Sequence, residues 1–443
     1  MTIEGLAERT RRIRLPSELL IGAGLALFAL IAYIVSNPTR GNLYNHFVWQ
    51  ADAWLGGRFA IPWPVAGAAP ANDYFRDVLP LPDQPGFGLL PYPPLPALIL
   101  LPLVAASGLE ADAALVACLI GAVNVGLAWR LVRRLTDDVA AAALATFFYA
   151  FGTVAWYAAA LGSTWFFAHL VAITFLMLAI TAAIDADRAT ARLHPSQVGR
   201  RLVDLVDWRQ FVAGMLFGTA ALARLTTIFG ATFFLFVGGG GSFGRRALSA
   251  GLGAAVPVLA LVVYNVASTG HLFNPVYEYL YLTEYVPHPE MRHADWGIED
   301  LRYIPQNLLI MLGWLPTVRF QCGAGLFDAN CPLLAPDPLG MSLLLVSPAY
   351  LLVVPALARW WRDRLAIGAA LAVAGIAVVN LAHFSQGWVQ FGYRFSNDFA
   401  PFALVLVTVG IARVGWRPLS VALVGASILV NAWGVYWGVA LRW

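Results

Sequence analysis

A chain of 443 residues that is 60% hydrophobic and only 12% charged has too little polar surface for a soluble fold, and it reads as an all-α polytopic membrane protein. All 28 basic residues are arginine, which excludes Walker-type ATPase and Schiff-base chemistry, since both require a lysine. The formal net charge of +3 is too small to suggest a nucleic-acid partner.

Crossing a hydrocarbon core of about 30 Å takes roughly 20 helical residues. The first such run, 17–36, follows Arg9, Arg11, Arg12 and Arg14 and has no small-residue cleavage site. It reads as an uncleaved signal anchor with a cytoplasmic N-terminus. A first outer loop, 37–110, comes next. Its last part, "PYPPLPALILLPLVAASG" at 91–108, is read as re-entrant or interfacial, because a span there would put Arg130, Arg133 and Arg134 outside. Spans then follow at 111–135, 139–159 and 166–184, and a basic connector at 185–208 leads to spans at 209–223 and 226–240. "GGGGSFGRR" reads as a flexible turn. A span at 247–267 opens a second outer loop, 268–339. Spans at 340–357 and 365–383 flank the cytoplasmic side, a short outer loop occupies 384–398, and spans at 399–413 and 418–438 finish the chain. With the anchor this makes eleven spans in a single integral-membrane domain, 1–443. Arginine clusters at 130–134, 188–209, 245–246, 359–364 and 413–417 all fall on the cytoplasmic side of this arrangement.

Certain stretches resemble a known family. "ADAWLGG" at 51–57, "YPPL" at 92–95 and the late "QFGYRFSNDFAPFALVLV", with a large loop after the first span, resemble the GT-C superfamily of lipid-phosphosugar-dependent glycosyltransferases. The nearest look-alikes are bacterial relatives of protein O-mannosyltransferases and aminoarabinose transferases. In that family an acidic pair precedes the first motif and a lysine precedes the prolines of the second; here Tyr44 and Asn45, and Tyr92, stand at those places. The resemblance implies a GT-C-like bundle of about 11 helices in a bacterial inner membrane, with its active site extracytoplasmic. It implies transfer of a sugar from a polyprenyl-phosphate donor to a glycan, lipid or protein acceptor among the membrane lipids. No definite cofactor is implied, and a divalent metal is compatible with it. The alternative is a transporter or flippase of lipid-linked glycans, which would bind the same phosphate without bond cleavage; a non-catalytic scaffold is a third reading.

Such a transfer needs a general base and cations for the departing phosphate. Asp73 and Asp52 are the candidate catalytic acids, with a turn role beside Asn72 and a helix-surface role as their respective alternatives. Arg224 interrupts a long apolar stretch and Arg394 begins a late span; each suits a phosphate, with snorkelling to headgroups and pairing with Asp398 as the alternatives. His46, Asn72, Tyr92 and Asp398 complete the candidate substrate-binding set. Tyr277, Tyr281 and Tyr285 form either an interfacial belt or a sugar platform. His288, Glu290 and His293 have a metal-like spacing but sit in a proline-broken loop, so no metal site is assigned. Cys322 and Cys331, nine positions apart on the outer side, are expected to be bridged.

Overall fold

Aspartates mark where many of the helices start. In the computed structural model, which describes residues 3–40, 44–62, 77–81, 84–191, 205–276, 293, 295–322, 328, 330–358, 362–387, 389–415 and 418–441, Asp112, Asp138, Asp207 and Asp363 each cap a helix. Their carboxylates accept from the N–H of Leu115 (2.8 Å), Ala140 (2.8 Å), Gln210 (3.0 Å) and Leu365 (3.0 Å). Several of the acids are therefore consumed in starting helices.

The chain begins with α1 (Ile3–Ser36) and α2 (His46–Leu55). Three short strands follow, β1 (Ile61–Pro62), β2 (Leu79–Leu81) and β3 (Gln84–Leu89), in an antiparallel sheet of order β1-β3-β2. Next come α3 (Leu95–Ser107), α4 (Ala113–Val132), α5 (Val139–Phe151), α6 (Ala155–Leu161), α7 (Thr164–Ala191) and α8 (Trp208–Ala221). The remainder holds α9 (Phe233–Phe236), α10 (Phe243–Thr269), α11 (Ile304–Gly313), α12 (Arg364–Ala382), α13 (Ser396–Val414) and α14 (Pro418–Ala440).

Among the described residues, seven helices are long and apolar enough to cross a membrane: Ser17–Ser36 of α1, α4, α7, α10, α12, α13 and α14. The α5–α6 pair, bent by 48°, makes an eighth if it is one span. The protein is thus multi-pass, and besides the bent pair at 139–159, three more of the eleven expected spans are not continuous helices of spanning length. The 209–223 run is α8, whose 14 residues reach only about 21 Å. The 226–240 run is a 3₁₀ helix, Leu225–Thr232, followed by α9. The 340–357 run breaks at Pro348 into Leu343–Val346, Pro348–Leu352 and Val353–Leu357. The 91–108 stretch contains α3, 13 residues with Pro102 inside and too short to span.

The helix ends sort into two groups. At one end of the bundle Arg133 pairs with Glu18 (2.9 Å), Arg134 with Asp185 (3.1 Å), Arg364 with Asp187 (3.3 Å) and Arg413 with Asp363 (3.4 Å). The tetraglycine lies there too and is no loose turn: the Gly239 N–H donates to Gln210 Oε1 (3.1 Å) and the Gly240 N–H to Thr190 Oγ1 (3.2 Å). Small residues let α8 and α10 touch, since any Cβ on Gly214 or Gly253 would strike backbone of the other helix. The opposite end carries α2, the small sheet, α3 and the Cys322–Cys331 disulfide, whose Cα atoms are 5.2 Å apart.

Candidate active site

At that second end, the first turn of α7 brings together residues far apart in sequence. Thr164 Oγ1 donates to the Tyr44 carbonyl (2.6 Å) and accepts from the His46 N–H (3.1 Å), with His46 Nδ1 also 2.9 Å away. This fixes the entry into α2 against α7 and sets Trp165 beside it. The indole Nε1–H of Trp165 reaches both Asp77 Oδ2 (2.7 Å) and Tyr92 Oη (2.8 Å), and the Tyr92 hydroxyl donates to the same Asp77 oxygen (2.6 Å). Asp77 is 8% exposed and lies two residues ahead of β2, so the β2–β3 pairing delivers it. Both of these bonds fall on Oδ2, which leaves Oδ1 clear of them.

The face of the same indole carries a cation. Arg394 Cζ lies 5.5 Å from the Trp165 ring centre and 5.2 Å from that of Phe395. Gly387, at φ +94°, is required beside it: a Cβ there would lie 2.7 Å from the Arg394 guanidinium carbon. Arg224 Cζ is 5.4 Å from the Phe395 ring centre, so one phenyl ring is shared by two guanidinium groups.

Arg224 owes its position to a break in regular helix. It has extended backbone (φ −142°, ψ 102°) between α8 and the 3₁₀ turn. Its Nε and Nη2 donate to Asp398 Oδ1 (3.1 Å) and Oδ2 (3.0 Å). Thr226 Oγ1 (2.8 Å) and Asn380 Nδ2 (3.2 Å) donate to Oδ2 as well, and His169 Nδ1 lies 2.7 Å from Oδ1. The Asp398 side chain is 0% exposed and that of Arg224 is 16% exposed. Three helices and the turn are thereby tied at one carboxylate.

These contacts rearrange the expected site. Tyr92, Arg224 and Arg394 stand in the cluster. Asp398 pairs with Arg224 rather than with Arg394 one turn away, and its side chain is completely buried. His46 touches the cluster through Trp165, with ring centres 5.9 Å apart. Burial pushes its imidazole down to about 4 against the pull of Asp77, so it is neutral near pH 7 and supplies no positive charge for a phosphate. Asp52 sits half-buried on α2 with no hydrogen bond or ion pair to the cluster. Asn72, Asp73, Tyr277, Tyr281, Tyr285, His288 and Glu290 lie outside the described residues; the His293 ring stacks on Trp296 at 3.7 Å. No group of three or more metal-ligating side chains gathers among the described residues.

Asp77, Trp165, His169 and Asn380 were missed as site residues. Asp77 lies four residues after Asp73, while His169 and Asn380 are polar residues inside apolar helices, a signal that was there to be read.

No family model matches the chain, and no curated protein matches it. Among solved structures, the apo crystal structure of the Archaeoglobus fulgidus oligosaccharyltransferase is similar over 96% of this chain and 56% of that one, with 11% identity and a TM-score of 0.47. The chain therefore spans little more than half the length of that protein. At this TM-score the likeness is a general one, and no residue role is carried across it.

Proposed function

We propose that the protein is a membrane glycosyltransferase that moves a sugar from a polyprenyl-phosphate donor to an acceptor hydroxyl on a glycan, lipid or protein. Asp77 is the base, and Arg394 and Arg224 receive the phosphate. The observation that carries this reading is the placement of the Asp77 carboxylate on the edge, and the Arg394 guanidinium on the face, of the single indole of Trp165.

In this reaction the acceptor O–H gives its proton to Asp77 Oδ1 as its oxygen forms a bond to the anomeric carbon. The bond from that carbon to the phosphate oxygen breaks, and the polyprenyl phosphate leaves with the electron pair. A single displacement of this kind inverts the anomeric configuration. Negative charge grows on the leaving phosphate, and two arginines held before the reaction stabilise it without reorganising. The roles divide accordingly: Tyr92 and Trp165 orient Asp77, while Asp398, Thr226, Asn380 and His169 hold Arg224. If the arginine-paired end is cytoplasmic, as the positive-inside rule requires, the site opens on the outer face of a bacterial inner membrane.

The test is release of polyprenyl phosphate from a labelled polyprenyl-phosphate sugar by the purified chain. Asp77→Asn should bind the donor as the parent does and turn over about 10² to 10⁴ times more slowly. Parent-like turnover in that variant removes Asp77 as the base. Movement of the lipid across vesicles without any release of polyprenyl phosphate makes the protein a transporter instead.

A further inference from the structure

Helix α2 ends in a way that presents an arginine to the membrane surface. The Arg58 N–H donates to the Ala53 carbonyl and the Gly57 N–H to the Trp54 carbonyl, each at 2.9 Å, which is the bond pair of a Schellman motif. Gly57 takes the left-handed position at φ +70°. Gln50 Nε2 donates to the Phe59 carbonyl (2.8 Å), so the turn is tied back to its helix.

Beside this turn lies a cavity of about 460 Å³ walled by Trp54, Phe59, Leu98, Leu222 and Tyr264, with Arg58 at its edge. The Tyr264 ring meets those of Trp54 and Phe59 at right-angled contacts of 5.9 and 6.0 Å. Apart from Arg58, the walls are apolar or aromatic. The medium outside is also legible. Val256, Leu259 and Val263 of α10, which flank the lining residue Ala260, are well exposed, Leu259 at 62%, on a face suited to hydrocarbon. Arg58 itself is exposed, lies over the Phe87 ring (5.9 Å), and has no carboxylate partner among the described residues.

We propose that this groove binds an anionic phospholipid of the surrounding bilayer, with a hydrocarbon chain between Trp54, Leu98, Leu222 and Tyr264 and the headgroup phosphate on Arg58. Charge complementarity selects the headgroup, and aromatic walls at headgroup depth suit the junction of chain and phosphate. The groove opens sideways onto the lipid-facing surface of α10, so the bilayer itself supplies the occupant. Arg224 and Arg394 are instead grouped around Phe395 and do not line this groove. The bound lipid would brace a functional wall, because the Leu95 N–H donates to the Leu222 carbonyl (3.0 Å), and Leu222 and Pro94 stand two residues from Arg224 and Tyr92.

The test is native mass spectrometry of the full chain released from nanodiscs containing phosphatidylglycerol and phosphatidylcholine, with polyprenyl phosphate added as a competitor. Phosphatidylglycerol should be retained over phosphatidylcholine. Arg58→Ala should weaken that retention about fivefold, the factor one arginine contributes at an anionic surface. Arg58→Lys should preserve most of it. Ala260→Trp fills the groove from the lipid side and should abolish retention in protein that remains monodisperse. Equal retention of both phospholipids, or retention unchanged in Arg58→Ala and Ala260→Trp, overturns the proposal. Displacement of phosphatidylglycerol by equimolar polyprenyl phosphate overturns it too and gives the groove to the prenyl lipid of the transfer reaction.

Discussion

Replacing Arg224 with methionine should destabilise the protein more than any other single change at the Asp398 junction. The Asp398 carboxylate is 0% exposed and, among the described residues, would keep Thr226, Asn380 and His169 as partners. A buried charge stripped of its counterion costs about 3–5 kcal/mol. Asp398→Asn is milder, because the cation left behind is 16% exposed and on a long stem that can turn toward water or headgroups. Its cost should be that of weakened hydrogen bonds, about 1–3 kcal/mol. The double variant Arg224→Met with Asp398→Leu should recover most of the loss, since apolar side chains of similar volume replace a buried ion pair at little cost. The four proteins would be compared by denaturant titration in detergent, with alkylation of Cys118 as the readout. That cysteine is buried and is the one residue of the three cysteines outside the disulfide. If Arg224→Met is as stable as the parent, or the double variant is as weak as Arg224→Met alone, the carboxylate is not balanced by Arg224 and the argument from burial fails.

Further expectations concern other parts of the molecule. Non-reduced peptide mapping should find Cys322 joined to Cys331; both appearing as alkylated thiols in unreduced protein would contradict the bridge. Single cysteines at Ser107 and Asp137 should be labelled by a membrane-impermeant maleimide from opposite sides, Ser107→Cys from outside intact cells; labelling of both from one side would break the two-ended arrangement. Gly387→Ala should weaken donor binding about tenfold by pushing the Arg394 guanidinium aside, in protein as stable as the parent to within the 1–3 kcal/mol cost of a strained backbone, and unchanged donor affinity would show that the contact is idle. Between pH 6.5 and 4 the unfolded chain takes a proton at His46 that the folded chain, with its imidazole at about 4, refuses. Stability should therefore fall as pH drops through that window, and His46→Gln should flatten the slope.

Local pattern made part of this legible in advance. Arg224 stood out as a charge between two short apolar runs, and the helix of "ADAWLGG" ends where its paired glycines suggest. The long apolar runs became helices, α10 and α13 even with Pro257 and Pro401 inside them. The remainder depends on contacts distant in sequence. Arg224 meets Asp398 across 174 residues, and Trp165 meets Asp77 across 88, separations at which no spacing rule operates. Asp77 sits just ahead of the local β2–β3 hairpin, but the Trp165 indole that singles it out comes from α7, 88 residues further on. Proline and extended backbone also shortened runs that hydropathy alone counted as whole spans.

The short α8 limb has a consequence for the bilayer. Its 14 residues supply about 21 Å of helix against a hydrocarbon layer of about 30 Å, yet Trp208 at one end and Leu225 just beyond the other are both open to the surroundings. Local thinning of the lipid beside this limb is one way to match it. The dimple would bring the water boundary down toward Arg224 and shorten the distance a phosphate has to travel through hydrocarbon. Bilayer thickness would then act directly on the protein: thick, ordered membranes should work against the dimple, and thin, fluid ones should favour it.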